Sequence, residues 1–421
     1  MTRTVGKMWE KYCLRPTQGP VSTTIPVFVY GTAWKKERSA DLVYNAIKAG
    51  FRAVDTAAQP RHYQEHLVGD GIRRAIADGI VGRADLYVQT KYSPVSAQDL
   101  ANMPYDPSAT VTDQVHASIK SSLHNLRSNI DPDSVDESYI DTVIIHSPLS
   151  TLAQTLEAWH ALETYVPRHI RNLGISNCTL SILRELCTSS QTTVKPSVVQ
   201  NRFYEDTLFD VPLRAFCREN QIIYQSFWTL TANPDLVRSE PVQQLAHHVN
   251  ITPAAAFYTL VMGLKDVAVL NGTKDESRMK EDLSAPKQVE NFTLKQPELW
   301  QQILTDFRAC VITWQYEVLI LVTTADSVNA STEPGQLGLA AEYYGGLPTL
   351  VPSRYNTWHI NSNSFTAQWA LSAAASRLNL DVGQFTRPIE RHLPSIDQLL
   401  VLDLPPVVDF GNLLSASVLI H

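Results

Sequence analysis

One rhythm constrains the fold of this chain more than anything else in it. Short apolar runs at residues 27–30, 51–55, 86–90, 142–145, 170–175, 198–199, 222–226 and 267–270 are interleaved with stretches of helical spacing. Those stretches fall at 40–49, 67–77, 111–126, 152–165, 180–186, 211–219, 253–264 and 275–283. Leu42, Val43, Ala46 and Ile47 show the pattern, since residues so spaced share one helix face. Strand and helix in strict alternation predict a parallel sheet with helices outside it. Eight such units in about 250 residues match the size of an α/β (β/α)8 TIM barrel. A doubly wound sheet would need a glycine-rich turn between a strand and a helix. The nearest match, Gly69-Asp70-Gly71, lies inside a helical pattern and is read as chance.

A chain of 421 residues is longer than the barrel needs. The reading divides it into a polar lead-in at 1–20, the barrel at 21–293 and an extension of uncertain structure at 294–421. Lys295 is the last lysine, and the rhythm does not continue past it. A composition of 44% apolar and 18% charged residues suits an ordinary core. A net charge of −7 gives no reason to expect nucleic acid or an anionic membrane as partner. Cys13, Cys178, Cys187, Cys217 and Cys310 are scattered without CxxC spacing, so they read as reduced thiols and not as a metal site. The N-terminus lacks the apolar core of a signal peptide. The longest apolar stretch, 311–322, is broken by Gln315 and Glu317 and is too short to span a bilayer. A cytoplasmic protein is expected.

A barrel of this kind builds its site at the C-terminal ends of the strands. Asp55, Lys91 and His146 each follow directly on an apolar run, and Tyr63 stands in the loop after Asp55. Ser176 and Asn177 follow the fifth run, Gln200 the sixth, Phe227 and Trp228 the seventh, and Gly272 and Thr273 the eighth. Carbonyl reduction by hydride needs a proton for the oxygen. A phenol, with an ordinary pKa near 10, serves better beside an ammonium that lowers that value. Lys91 offers the ammonium, Asp55 its counter-charge, and His146 a hydrogen bond to polarise a carbonyl. Phe227 offers a flat wall for a nicotinamide ring, and Ser176, Asn177 and Gln200 offer partners for its carboxamide.

In these motifs the sequence resembles an aldo-keto reductase. They are Gly50-Phe-Arg-Ala-Val-Asp55-Thr-Ala, Gln89-Thr-Lys91, Ile144-Ile-His146-Ser-Pro148, Gly174-Ile-Ser176-Asn177, Val198-Val-Gln200, and Thr273 through Arg278 to Asp282. The resemblance implies a catalytic tetrad of Asp55, Tyr63, Lys91 and His146. It implies NADP(H) held by Gly31, Thr32, Asp55, Ser176, Asn177, Gln200, Phe227, Thr273, Lys274, Arg278, Glu281 and Asp282. Trp34, His146 and Trp228 would line the pocket of a small carbonyl substrate. It also implies that residues from about 290 to 300 fold back over the rim. The sequence departs from the family in three places. Asp55 and Tyr63 are eight apart where five is usual, Phe227 replaces a tyrosine, and Gly272 replaces a lysine. The implied activity is NADPH-dependent reduction of an aldehyde or ketone, in the manner of a tailoring step on a small metabolite. The alternative is a nucleotide-binding, redox-sensing regulatory subunit with little turnover.

Overall fold

The structure, a computed structural model, describes residues 11–14, 23–129 and 138–311. A short antiparallel hairpin, β1 (Lys11–Cys13) and β2 (Thr24–Pro26), comes first. Eight parallel strands follow: β3 (Phe28–Gly31), β4 (Ala53–Asp55), β5 (Tyr87–Tyr92), β6 (Ile140–Ile145), β7 (Ile170–Ser176), β8 (Val198–Arg202), β9 (Ile223–Phe227) and β10 (Val267–Asn271). Each pairs with the next, and β10 pairs back onto β3, so the sheet closes. Strands buried on both faces read as unbroken apolar runs. That is why all eight were visible in the sequence.

The helices wrap the barrel as expected. They are α1 (Ser39–Ala49), α2 (Glu65–Ala77), α3 (Val111–Asn125), α4 (Leu152–Glu163), α5 (Leu180–Thr188), α6 (Val211–Glu219), α7 (Pro234–Arg238), α8 (Glu240–Val249), α9 (Pro253–Met262) and α10 (Glu276–Lys295). The Gly69-Asp70-Gly71 match lies within α2. A Cβ on Gly69 would stand 1.9 Å from the Asn125 carbonyl oxygen, so this glycine serves the close approach of α2 to α3.

Four features were not legible beforehand. The hairpin closes the barrel floor: Leu14 and Ile25 pack with Val29, Ala53, Tyr87, Ile144, Val198, Ile223 and Ala268. The Tyr12 hydroxyl donates to the Val267 carbonyl at 3.1 Å. The short helices α7 and α8 enter between β9 and α9. α10 runs on past Leu283 and through Pro286, because Val289 and Phe292 beyond it are buried. Finally, residues 297–311 form a further helix lying along α9. Phe307 meets Phe257 edge-on with ring centroids 5.8 Å apart, and Arg308 donates to the Gly263 carbonyl at 3.2 Å. Trp300 and Leu304 crowd Gly263, which ends α9 below the start of β10. The expectation that residues 290–300 cross the rim is therefore corrected. α10 leaves the rim and carries that segment down the outside of the barrel to its floor. The compact unit that holds the barrel extends to Val311. The remainder of the expected extension, from 312 on, lies outside the described residues. Among the described residues, no helix is long and apolar enough to cross a membrane.

Candidate active site

Asp55 closes β4 and is almost wholly buried. Its carboxylate accepts from Lys91 Nζ at 2.7 and 2.6 Å, Gln89 Nε2 at 2.6 Å and Gln200 Nε2 at 3.0 Å. Gln89 and Gln200 both also donate to Gln225 Oε1 at 2.8 Å, and Gln225 returns a bond to Gln89 Oε1. Three inward amides from β5, β8 and β9 thus form a hydrogen-bonded floor beneath the carboxylate. A buried charge persists only with such satisfaction.

Lys91 gives its remaining hydrogen to the Thr56 carbonyl at 2.8 Å. Burial lowers its pKa, and Asp55 and then Glu65 act in the opposite sense. Glu65 sits behind it, accepting from Thr90, Ser122 and Asn125. His146 follows β6, its Nδ1 2.6 Å from Ser93 Oγ. Burial, then the charges of Lys91 and His62, push its pKa down to about 3, so the imidazole is neutral at pH 7. A neutral ring carries one hydrogen. When Ser93 donates to Nδ1, that hydrogen is on Nε2.

Tyr63 reaches the same place despite its long loop. Both His62 and Tyr63 donate backbone N–H to the Gln59 carbonyl, at 3.1 and 3.0 Å. Gln59 Nε2 in turn anchors on the Ala97 carbonyl at 2.6 Å. This tight turn takes up the extra residues and returns the ring to the rim. It meets His146 edge-on at 5.9 Å between centroids, and Lys91 Nζ lies 5.0 Å from its centre. The structure differs from the sequence reading in one respect. The Tyr63 pKa is raised, by burial and then by Asp55, where Lys91 was expected to lower it. Burial of the phenol dominates, and every hydrogen of the nearby Lys91 ammonium is committed to Asp55 or Thr56.

Around this group, Ser176 Oγ donates to the Gln200 carbonyl at 2.6 Å, and Asn177 Nδ2 donates to the His146 carbonyl at 2.9 Å. Thr32 is buried and bonds the Asp55 carbonyl through N–H and hydroxyl, at 3.0 and 2.8 Å, which steadies the end of β4 beside Gly31. Phe227 ends β9 with Trp228 edge-on to it at 6.2 Å. Trp34 lies tilted against His62, with centroids 3.8 Å apart and planes at 35°. Trp34 and Trp228 are 56% and 50% exposed, so both stand at the mouth and not in the core.

With this geometry in place, comparison with known proteins is decisive. The sequence model of the aldo/keto reductase family matches residues 28–275. The chain belongs to that family. It is 28% identical over 280 residues to the uncharacterised oxidoreductase YtbE of Bacillus subtilis (strain 168), covering 65% of this chain and 87% of that one. It is 30% identical over 203 residues to the NAD(P)H-dependent D-xylose reductase I,II of Candida tropicalis, which spans 42% of this chain and about half, 54%, of that protein. A crystal structure of an aldo/keto reductase from Brucella melitensis superposes with a TM-score of 0.52 at 21% identity, over 65% of this chain and 93% of that chain, and shares the barrel fold. This aldo/keto reductase is an NAD(P)H-dependent oxidoreductase.

Cations gather at the loop after β10, where they could hold nucleotide phosphates. Lys35, 3% exposed, donates to the Gly272 carbonyl at 3.0 Å, and Lys274 donates to the Trp34 carbonyl at 3.3 Å. Burial, then the charges of Lys274 and Arg38, push the Lys35 pKa down to about 7. Among the described residues no carboxylate pairs with Lys35. Cations gathered without a counter-charge fit a phosphorylated group. Lys35 was not foreseen from the sequence. It lies next to Trp34 and reaches the backbone of Gly272, where a Cβ would meet nothing within 4 Å.

The other candidates in this loop are partly engaged. Thr273 accepts from the Tyr30 hydroxyl through its carbonyl at 3.0 Å. Asp282 accepts from Asn271 at 2.7 Å, with its pKa raised to about 6 by burial. Glu281 accepts from the Thr252 N–H at 3.3 Å, at the start of α9. Arg278 is exposed.

Proposed function

We propose that this protein reduces the carbonyl of an aldehyde or ketone on a small molecule with NADPH, and that Tyr63 delivers the proton. The observation that carries the reading is the meeting of Tyr63, His146 and the Lys91–Asp55 pair on one rim, from three strand ends and one loop. When bound, the nicotinamide nucleotide supplies the hydride. The rest falls to side chains. Neutral His146 holds the carbonyl oxygen with Nε2–H. Tyr63, whose raised pKa keeps it protonated at neutral pH, gives its hydrogen to that oxygen. Lys91 then faces the phenolate, and Asp55 and the glutamine floor keep the ammonium in place.

Phe227 supplies the flat wall for the ring. Gln200 has both its known amide bonds on Nε2, so its Oε1 is left to accept from a carboxamide N–H. Lys35, Lys274 and Arg278 favour a 2′-phosphate, hence NADPH over NADH. We place the reaction as a reductive tailoring step on a small metabolite. The test is nucleotide oxidation with a panel of aldehydes and ketones, run with both nucleotides. Nucleotide binding without turnover of any carbonyl compound would refute the reading.

A further inference from the structure

Resting on that reading, we infer that Arg202 recognises a carboxylate on the substrate, so that the carbonyl compound reduced here carries an acid group at its far end. Arg202 is the last residue of β8. Gln200, two residues earlier, faces the barrel interior, where it bonds Asp55 and Gln225. Side chains two apart share a face of a strand, so Arg202 emerges on the same inner side, one layer nearer the mouth. It pairs in register with Phe227. Around the closed barrel, β8 lies four strands from β4 in either direction. Arg202 therefore looks across the mouth toward Asp55 and the loop that carries Tyr63.

Its surroundings are unusual for an arginine. The guanidinium carbon lies 4.4 Å from the Trp228 ring centre and 5.8 Å from that of Tyr204. Among the described residues it makes no ion pair, and its Nε is buried without a partner. Other arginines packed into this barrel spend their hydrogens. Arg73 bonds the Asn125 and Arg127 carbonyls, Arg83 bonds Leu86, Tyr139 and Asp141, and Arg214 bonds Phe209. A guanidinium has five donors in a planar fork that matches a carboxylate in bidentate fashion. Leaving a donor such as Nε desolvated and unpaired is costly. The aromatic contacts hold the plane of Arg202 and leave the fork open.

A substrate, and not the nucleotide, is the natural source of the anion. The cations suited to nucleotide phosphate, Lys35 and Lys274, lie with β3 and β10, whereas Arg202 belongs to β8 beyond β9. β8 lies two strands from β6, whose end carries His146, and four from β4, so a molecule whose carbonyl lies at Tyr63 and His146 must span the mouth to reach Arg202. The acid group is therefore separated from the carbonyl by a spacer, as in an aromatic or ω-oxo acid and not a 2-oxo acid.

The test uses the full chain with NADPH and two matched aldehydes, 4-carboxybenzaldehyde and its methyl ester. The wild type should show the higher kcat/KM for the acid. In Arg202→Met, which keeps reach and removes charge, the acid-to-ester ratio should fall about tenfold to a hundredfold, mainly through KM. Arg202→Lys should restore part of it, since an ammonium lacks the planar fork. A wild-type preference for the ester overturns the inference, as does a ratio unmoved by Arg202→Met. So does a rise in KM for NADPH alone, which would put Arg202 on the nucleotide. If neither aldehyde is reduced, the reductase reading falls, and a binding measurement decides the inference separately. Benzoate should quench tryptophan fluorescence of the NADP-bound wild type and not of Arg202→Met, while benzamide quenches neither. Equal quenching in both proteins, or none in either, overturns it.

Discussion

Lys91 grips both oxygens of Asp55 and commits its last hydrogen to Thr56, so the pair is locked beneath the rim. Lys91→Met would leave a buried carboxylate held only by two glutamine amides. Breaking a buried pair in this way costs about 3–5 kcal/mol. The variant should lose stability of that order in chemical denaturation and lose turnover as well. Adding Asp55→Leu removes the orphaned charge, and should recover much of the stability and none of the activity. Recovery of both would mean that the pair serves only the fold.

His146 sets a pH dependence. The unfolded residue takes up a proton near its ordinary value of 6.5, the folded one only near 3. Between these values the unfolded state binds more protons, so stability falls as pH drops from about 6.5 toward 3. His146→Gln, which cannot titrate, should show a shallower loss between pH 7 and pH 5 by denaturant titration. Parallel curves for the two proteins would contradict the assignment.

Lys35 gives the opposite kind of signal, seen on binding. Its pKa near 7, down from 10.5, leaves it mostly neutral at pH 8. A phosphate beside it favours the charged form. NADPH binding at pH 8 should therefore take up a proton, detectable by calorimetry in two buffers of different ionisation enthalpy. Lys35→Met should abolish the uptake and weaken NADPH binding. Uptake unchanged in the variant would place the proton elsewhere.

The helix at 297–311 belongs with the barrel. A chain shortened after Val311 should stay soluble, bind NADPH and keep its turnover. One shortened after Asp306 loses Phe307 from its place against Phe257. Removing a buried phenylalanine costs about 3–5 kcal/mol, so that chain should unfold at lower denaturant. Equal stability of the two would refute the packing argument.

Much of this was legible in the sequence, for identifiable reasons. The strands of a parallel barrel are buried on both faces, so they stand out as apolar runs. A Lys91 or His146 at the end of such a run is conspicuous. Tyr63 was harder, because spacing alone cannot show that Gln59 folds its loop into a tight turn. Lys35 and Arg202 could not be read at all. A charge beside a strand end is ordinarily solvated, and only burial singles out Lys35 while only register places Arg202 beside Phe227. The hairpin escaped notice because strands of three residues carry no period. α10 was read only as far as 283, whereas the burial of Val289 and Phe292 carries the helix on through Pro286.

The central claim is that Tyr63 is the proton donor, and single-turnover reduction by Tyr63→Phe tests it most directly. The variant keeps the ring beside His146 and Lys91 and lacks only the hydroxyl. With NADPH prebound and an aldehyde that the wild type reduces, its rate should fall about 10²–10⁴-fold while its Kd for NADPH stays within about twofold. A rate within tenfold of the wild type, with NADPH bound normally, would contradict the account and assign the proton to another group.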